Sequence, residues 1–62
     1  MLYRFRYRHL PIDQIARSYW SDGRTTLALA TRFENDGEPD VMIEDQDGGE
    51  WTTAEFRTFI QS

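Results

Sequence analysis

From Leu2 to His9 the chain alternates without a break. Tyr3, Phe5, Tyr7 and His9 fall on one side, and Arg4, Arg6 and Arg8 on the other. Successive side chains of a β-strand point to opposite faces. A period of two with three aromatics therefore predicts a strand half-buried on its aromatic side. That aromatic face needs a second layer to cover it. Leu10-Pro11 ends the strand, because proline has no ladder donor and restrains the residue before it.

The covering layer is written most clearly at the other end of the chain. Thr52-x-x-Glu55 matches a capping box, in which the hydroxyl and the carboxylate each satisfy an otherwise orphaned backbone N–H. Phe56, Phe59 and Ile60 then form the apolar stripe of a short helix ending near Gln61. Between the two ends, Thr25 to Phe33 places Leu27, Leu29, Thr31 and Phe33 on one face of a strand. Asn35-Asp36-Gly37 reads as a turn into a further strand over Asp40–Asp45, with Val41 and Ile43 together and Asp47-Gly48-Gly49 closing it. These two segments are expected to pair as a hairpin. Ile12, Ile15, Ala16, Tyr19 and Trp20 follow helical spacing with Asp13 as N-cap, which predicts a short helix; a strand over Arg17–Trp20 competes with it. The expected fold is α+β: an antiparallel sheet of about three strands, the C-terminal helix on one face, and a short helix between strands 1 and 2.

Sixty-two residues allow one compact domain, 1–62, with no linker, repeat or low-complexity stretch. A domain of this size buries only about 60% of the surface its unfolded chain exposes. The absence of cysteine closes the disulfide route and any cysteine-based zinc site. Aromatic mass, 15% of the chain, must hold the core instead, if need be with help from a second copy. Trp20 and Trp51 are both expected in that core. No apolar run is long enough for a signal peptide or a membrane span, and the expectation is a complete, cytoplasmic chain.

The charge is split along the chain. Residues 1–32 hold six arginines against Asp13 and Asp22; residues 33–62 hold Arg57 against nine carboxylates. Arg4, Arg6 and Arg8 would stand in a row at roughly 6.6–6.8 Å spacing, close to that of phosphates along a nucleic-acid strand. The competing expectation is that they pair with carboxylates on neighbouring strands, such as Glu44 or Glu34, at about 0.2–1 kcal/mol per pair. The net charge of −4 favours pairing. There is no lysine, as a GC-rich genome would produce, or as sites needing a planar guanidinium would require.

Catalysis has little to build on. One histidine, His9, ends a strand, and the three serines lie near no evident base, so no catalytic residue and no cofactor is assigned. Asp45-Gln46-Asp47-Gly48-Gly49-Glu50 approaches a calcium loop, but alignment on Gly48 puts Ile43 and Ala54 at the first and last ligand positions. A solvated turn is the stronger reading, and no metal is expected. The segment from Gln14 to Ala28 faintly resembles a helix-turn-helix, with Ala16 in its first helix, but Trp20 stands where that motif's turn glycine belongs.

What remains is binding. Glu34, Asp36, Glu38, Asp40, Glu44, Asp45, Asp47 and Glu50 place eight carboxylates in seventeen residues. The leading expectation is a non-enzymatic protein-binding domain, an inhibitor or adaptor of the sort phages and mobile elements encode. Its acidic hairpin, with Trp51 as an aromatic anchor, would engage a basic partner surface. The alternatives are a nucleic-acid binder using Arg4, Arg6 and Arg8, and a self-associating domain that buries aromatic surface against a second copy. No membrane partner is expected.

Overall fold

A computed structural model describes residues 1–61 of the chain. The fold is α+β. Four antiparallel strands, β1 (Tyr3–His9), β2 (Gln14–Arg17), β3 (Met42–Asp45) and β4 (Glu50–Trp51), lie in the order β2-β1-β3-β4. Helices α1 (Gly23–Asn35) and α2 (Thr53–Gln61) pack together on one face. No helix among the described residues is long and apolar enough to cross a membrane.

β1 forms as its alternation demands and sits second in the sheet, between β2 and β3. Its inner residues meet the core: Phe5 pairs with Ile43, and the Phe5 and Tyr7 rings each lie 5.0 Å from that of Phe33. Its outer residues are the three arginines, with Arg4 opposite Glu44 and Arg6 opposite Met42.

Residues 12–20 are not the expected helix. A four-residue connection joins β1 to β2, and Tyr7 pairs with Ala16 and Arg8 with Ile15. Helical spacing lost here because the hairpin satisfies the backbone groups on β1's second edge. Asp13, expected as an N-cap, instead takes φ +49 in that connection. The Ser18 N–H donates to the Phe5 carbonyl, and Tyr3 and Ser21 exchange two further backbone bonds. Tyr19 and Trp20 thus oppose the single Arg4, the extra residue of a β-bulge. Trp20 is turned out of the core and lies under the Arg4 guanidinium, 4.3 Å from carbon to ring centroid.

Thr25–Phe33 is helix rather than strand. Asp22 caps α1 by accepting from the Thr25 N–H at 2.6 Å, and Gly23, Thr26, Leu27, Ala30 and Phe33 recur at helical spacing on its inward side. The buried positions include Thr26, whose hydroxyl donates within reach of the Asp22 and Tyr3 carbonyls. Asn35-Asp36-Gly37 ends the helix instead of turning a hairpin. Gly37, at φ +92, donates to the Glu34 carbonyl and Glu38 to the Phe33 carbonyl, which is a Schellman motif.

α2 begins with the expected capping box: Glu55 Oε1 accepts from the Thr52 N–H at 2.9 Å, and Thr52 Oγ1 from the Glu55 N–H at 3.1 Å. Phe5, Ala30, Val41, Ile43 and Phe56 form the buried centre, ringed by Tyr3, Tyr7, Leu27, Phe33, Trp51 and Ile60. Trp51 packs against Tyr3, Phe56 and Phe59.

Candidate functional site

Both helices cover the aromatic face, which leaves the arginine face of the sheet open. Strand order decides what these arginines meet. β3 brings Glu44 beside β1, so Arg4 Nε donates to Glu44 Oε1 at 2.6 Å, and Arg6 Nε and Arg17 Nε lie 3.7 and 3.4 Å from the same carboxylate. Glu50 on β4 accepts from Arg6 Nη2 at 2.9 Å. Glu44 was the partner expected for the stripe; Glu34 instead accepts from the Thr53 hydroxyl, tying α2 to α1.

Arg8 is held differently. It donates to Asp13 at 3.0 Å and to Asp40 at 3.1 Å. Both aspartates have left-handed backbones, at φ +49 and +60, a conformation aspartate tolerates better than most residues. The hydrogen bond to Asp13, then that to Asp40, raises the guanidinium's pKa above its ordinary value. Sequence periodicity gave no signal for this clamp, because both carboxylates arrive from connections.

The eight carboxylates between Glu34 and Glu50 do not form one hairpin. Glu34 lies in α1 and Asp36 is its C-cap, Glu38 and Asp40 belong to the α1–β3 connection, and Glu44, Asp45, Asp47 and Glu50 belong to the β3–β4 hairpin. The segment expected as the first arm, Thr25–Phe33, is helix. Asp45 closes the β3–β4 turn by accepting from the Asp47 and Gly49 N–H groups, which occupies an oxygen the calcium-loop alignment assigned to metal. Among the described residues no group of three or more His, Asp or Glu side chains is arranged to hold a metal ion. The helix-turn-helix resemblance also ends here, since Ala16 is in a strand.

The result is a segregation of charge. On the open face, Arg4, Arg6, Arg8 and Arg17 meet Asp13, Asp40, Glu44 and Glu50, four against four, all within 3.7 Å. The net −4 is therefore carried by the rest of the molecule, where Arg24, Arg32 and Arg57 stand against seven carboxylates. Four of the seven serve local structure: Asp22 and Glu55 cap helices, Glu34 bonds Thr53, and Asp45 closes its turn. Asp36, Glu38 and Asp47 make no side-chain hydrogen bond or ion pair among the described residues, and they sit at opposite ends of β3. Trp51 is half-buried among core rings, whereas Trp20 and Tyr19, the latter 95% exposed, face outward. Compared with known proteins, the chain matches no protein-family model, no curated protein and no solved structure.

Proposed function

We propose that this chain is a small non-enzymatic protein-binding domain, an inhibitor or adaptor. It meets a basic partner surface with the carboxylates that its own arginines leave uncompensated, chiefly Asp36, Glu38 and Asp47. The observation that carries this reading is the segregation of charge. The basic face is neutralised within the fold, and the acidic surplus lies on connections where a partner can reach it. Surplus charge of one sign speeds encounter with a surface of the other sign and fixes orientation, over about 8–10 Å at ordinary salt.

Support for a non-catalytic role comes from the groups catalysis would need. His9 Nδ1 is enclosed without a hydrogen-bond partner, and its ring stands edge-on to Tyr7. The Ser18 hydroxyl is committed to the Phe5 N–H and the Tyr19 carbonyl. Pairing of Arg4, Arg6 and Arg8 weighs against nucleic acid, because phosphate would have to displace Glu44, Glu50, Asp13 and Asp40.

The test is capture from a lysate of the source organism with the wild-type domain and with the triple variant Asp36→Lys, Glu38→Lys, Asp47→Lys. Asp45 is left intact because it holds its turn. Loss of a salt-sensitive protein partner in the variant is the expected result. A partner retained at full yield by the folded variant refutes the reading.

A further inference from the structure

We propose that the free edge of β2 pairs with β2 of a second copy of this chain, across a two-fold axis perpendicular to the sheet, joining two four-stranded sheets into one. This surface is separate from the acidic connections and stands or falls independently of them.

The backbone comes first. β2 is an edge strand. Its neighbour Ser18 donates inward to the Phe5 carbonyl, and antiparallel ladders alternate. Ala16 and Gln14 therefore turn their backbone groups toward β1, while Ile15 and Arg17 turn theirs outward. Monomeric proteins blunt such edges with short strands, charge, proline or bulges, and β2, four residues long with Arg17 at its end and a bulge beyond it, is blunted only in part. Here the strand's centre is Ile15, 41% exposed, and Leu10 and Ile12 beside it are each 60% exposed.

Self-complementarity then selects a register. Pairing must keep open face with open face, since a one-residue slip would turn every side chain to the other side. With Ile15 opposite Ile15 of the second copy, Arg17 of each copy comes beside Asp13 of the other, in the connection just before β2, twice by symmetry. Arg17 and Asp13 side chains are 48% and 77% exposed, so both can reach across. The neighbouring permitted registers set Arg17 against Ile15, or Asp13 against Ile15, and neither matches opposite charges. Arg8 and Glu44, which already contact Asp13 and Arg17, extend the two new pairs into a network across the joint. A four-residue edge with a hairpin tip lies at the small end of specific interfaces. The expected association is reversible and micromolar, and it compensates a domain too small for a large core.

Analytical ultracentrifugation of the full chain tests this. Wild type should be dimeric near ~1 mM and dissociate on dilution toward ~10 µM. Asp13→Arg alone and Arg17→Asp alone should each be monomeric over that range, because each sets like charges opposite. An equimolar mixture of the two variants restores opposite charges at both positions and should recover the dimer. A wild-type monomer at ~1 mM overturns the proposal. So does a dimer indifferent to both substitutions, or a mixture of folded variants that stays monomeric. Should either variant fail to fold by circular dichroism, the wild type alone decides. The Ile15 and Arg17 amides should shift and gain exchange protection as concentration rises, and unchanged amides overturn the proposal.

Discussion

Glu44→Gln tests whether the open face is neutralised by its ion pairs. The Glu44 side chain is 14% exposed and takes three arginines: Arg4 at 2.6 Å, Arg17 at 3.4 Å and Arg6 at 3.7 Å. Glutamine keeps the shape and one acceptor oxygen, and removes the charge and the second acceptor. Two unit charges about 4 Å apart attract by roughly 4 kcal/mol at an effective dielectric of 20, but desolvation cancels most of that. Exposed pairs retain about 0.2–1 kcal/mol each. Arg6 keeps Glu50, so the loss falls on Arg4 and Arg17. It is increased because Arg6 and Arg17 sit directly opposite on β1 and β2 with only carboxylates to separate their charges. The expected cost is about 1–2 kcal/mol. A chain of this size has roughly 3–9 kcal/mol in total. At about 4–8 °C per kcal/mol, the midpoint falls by roughly 5–15 °C. Thermal melts by far-UV circular dichroism read this directly, and the gap should narrow near ~0.5 M salt. Glu50→Gln, with a half-exposed side chain and one bonded arginine, is the control and should cost under about 0.5 kcal/mol. The same Glu44 variant should gain weak nucleic-acid binding in a low-salt gel shift, because Arg4 and Arg17 are released. A variant that melts within ~2 °C of wild type at low salt, or loses no more than Glu50→Gln, refutes the reasoning.

Thr52→Ala removes the hydroxyl that accepts from the Glu55 N–H, leaves the backbone donor to Glu55 Oε1, and should cost about 1 kcal/mol in urea titration, while Thr52→Ser keeps most of it. Ile43→Val, at a fully buried site, should cost about 0.5–1.5 kcal/mol, whereas Ile15→Val in dilute solution should stay within about 0.5; equal shifts in urea midpoint would contradict the assignment of faces. Gly48→Ala places a side chain at φ +92 and should lower the unfolding free energy by about 1 kcal/mol in urea titration from backbone strain alone, since open space surrounds the site. The backbone N–H of Thr25, then its hydroxyl, lowers the pKa of Asp22 below the ordinary carboxylate value. Its contribution is therefore full above about pH 3.9 and is lost as pH falls through the lower folded value. Asp22→Asn, which can still cap, should flatten the acid side of a melting-temperature profile below about pH 4, and a profile that superimposes on wild type counts against the cap.

Two elements could be read from residues alone, β1 and α2, because each is specified locally. Strict alternation with aromatics on one side allows β1 a single way to bury apolar area. The pair Thr52 and Glu55 satisfies its own helix terminus whatever packs nearby. The α+β class followed from these two. The middle of the chain was ambiguous because two periods coexist in it. Leu27, Leu29, Thr31 and Phe33 alternate, while Gly23, Thr26, Leu27, Ala30 and Phe33 recur at helical spacing. The second pattern buries a threonine and an alanine, which hydrophobicity does not flag, and it becomes favourable only where the Tyr3 carbonyl lies beside the Thr26 hydroxyl. Likewise the segment around Ile15 had helical spacing, but the unpaired edge of β1 decided for strand.

The charges divide in the same way. Composition and order along the chain determined that arginines crowd one strand face and carboxylates the later half. Whether those charges cancel depended on strand order, which sequence spacing does not encode. Placing β3 beside β1 brings Glu44 to the arginines, and two left-handed aspartates from separate connections close on Arg8. Ion pairing needs approach within about 4 Å, and only the tertiary fold brings residues thirty or forty positions apart to that distance.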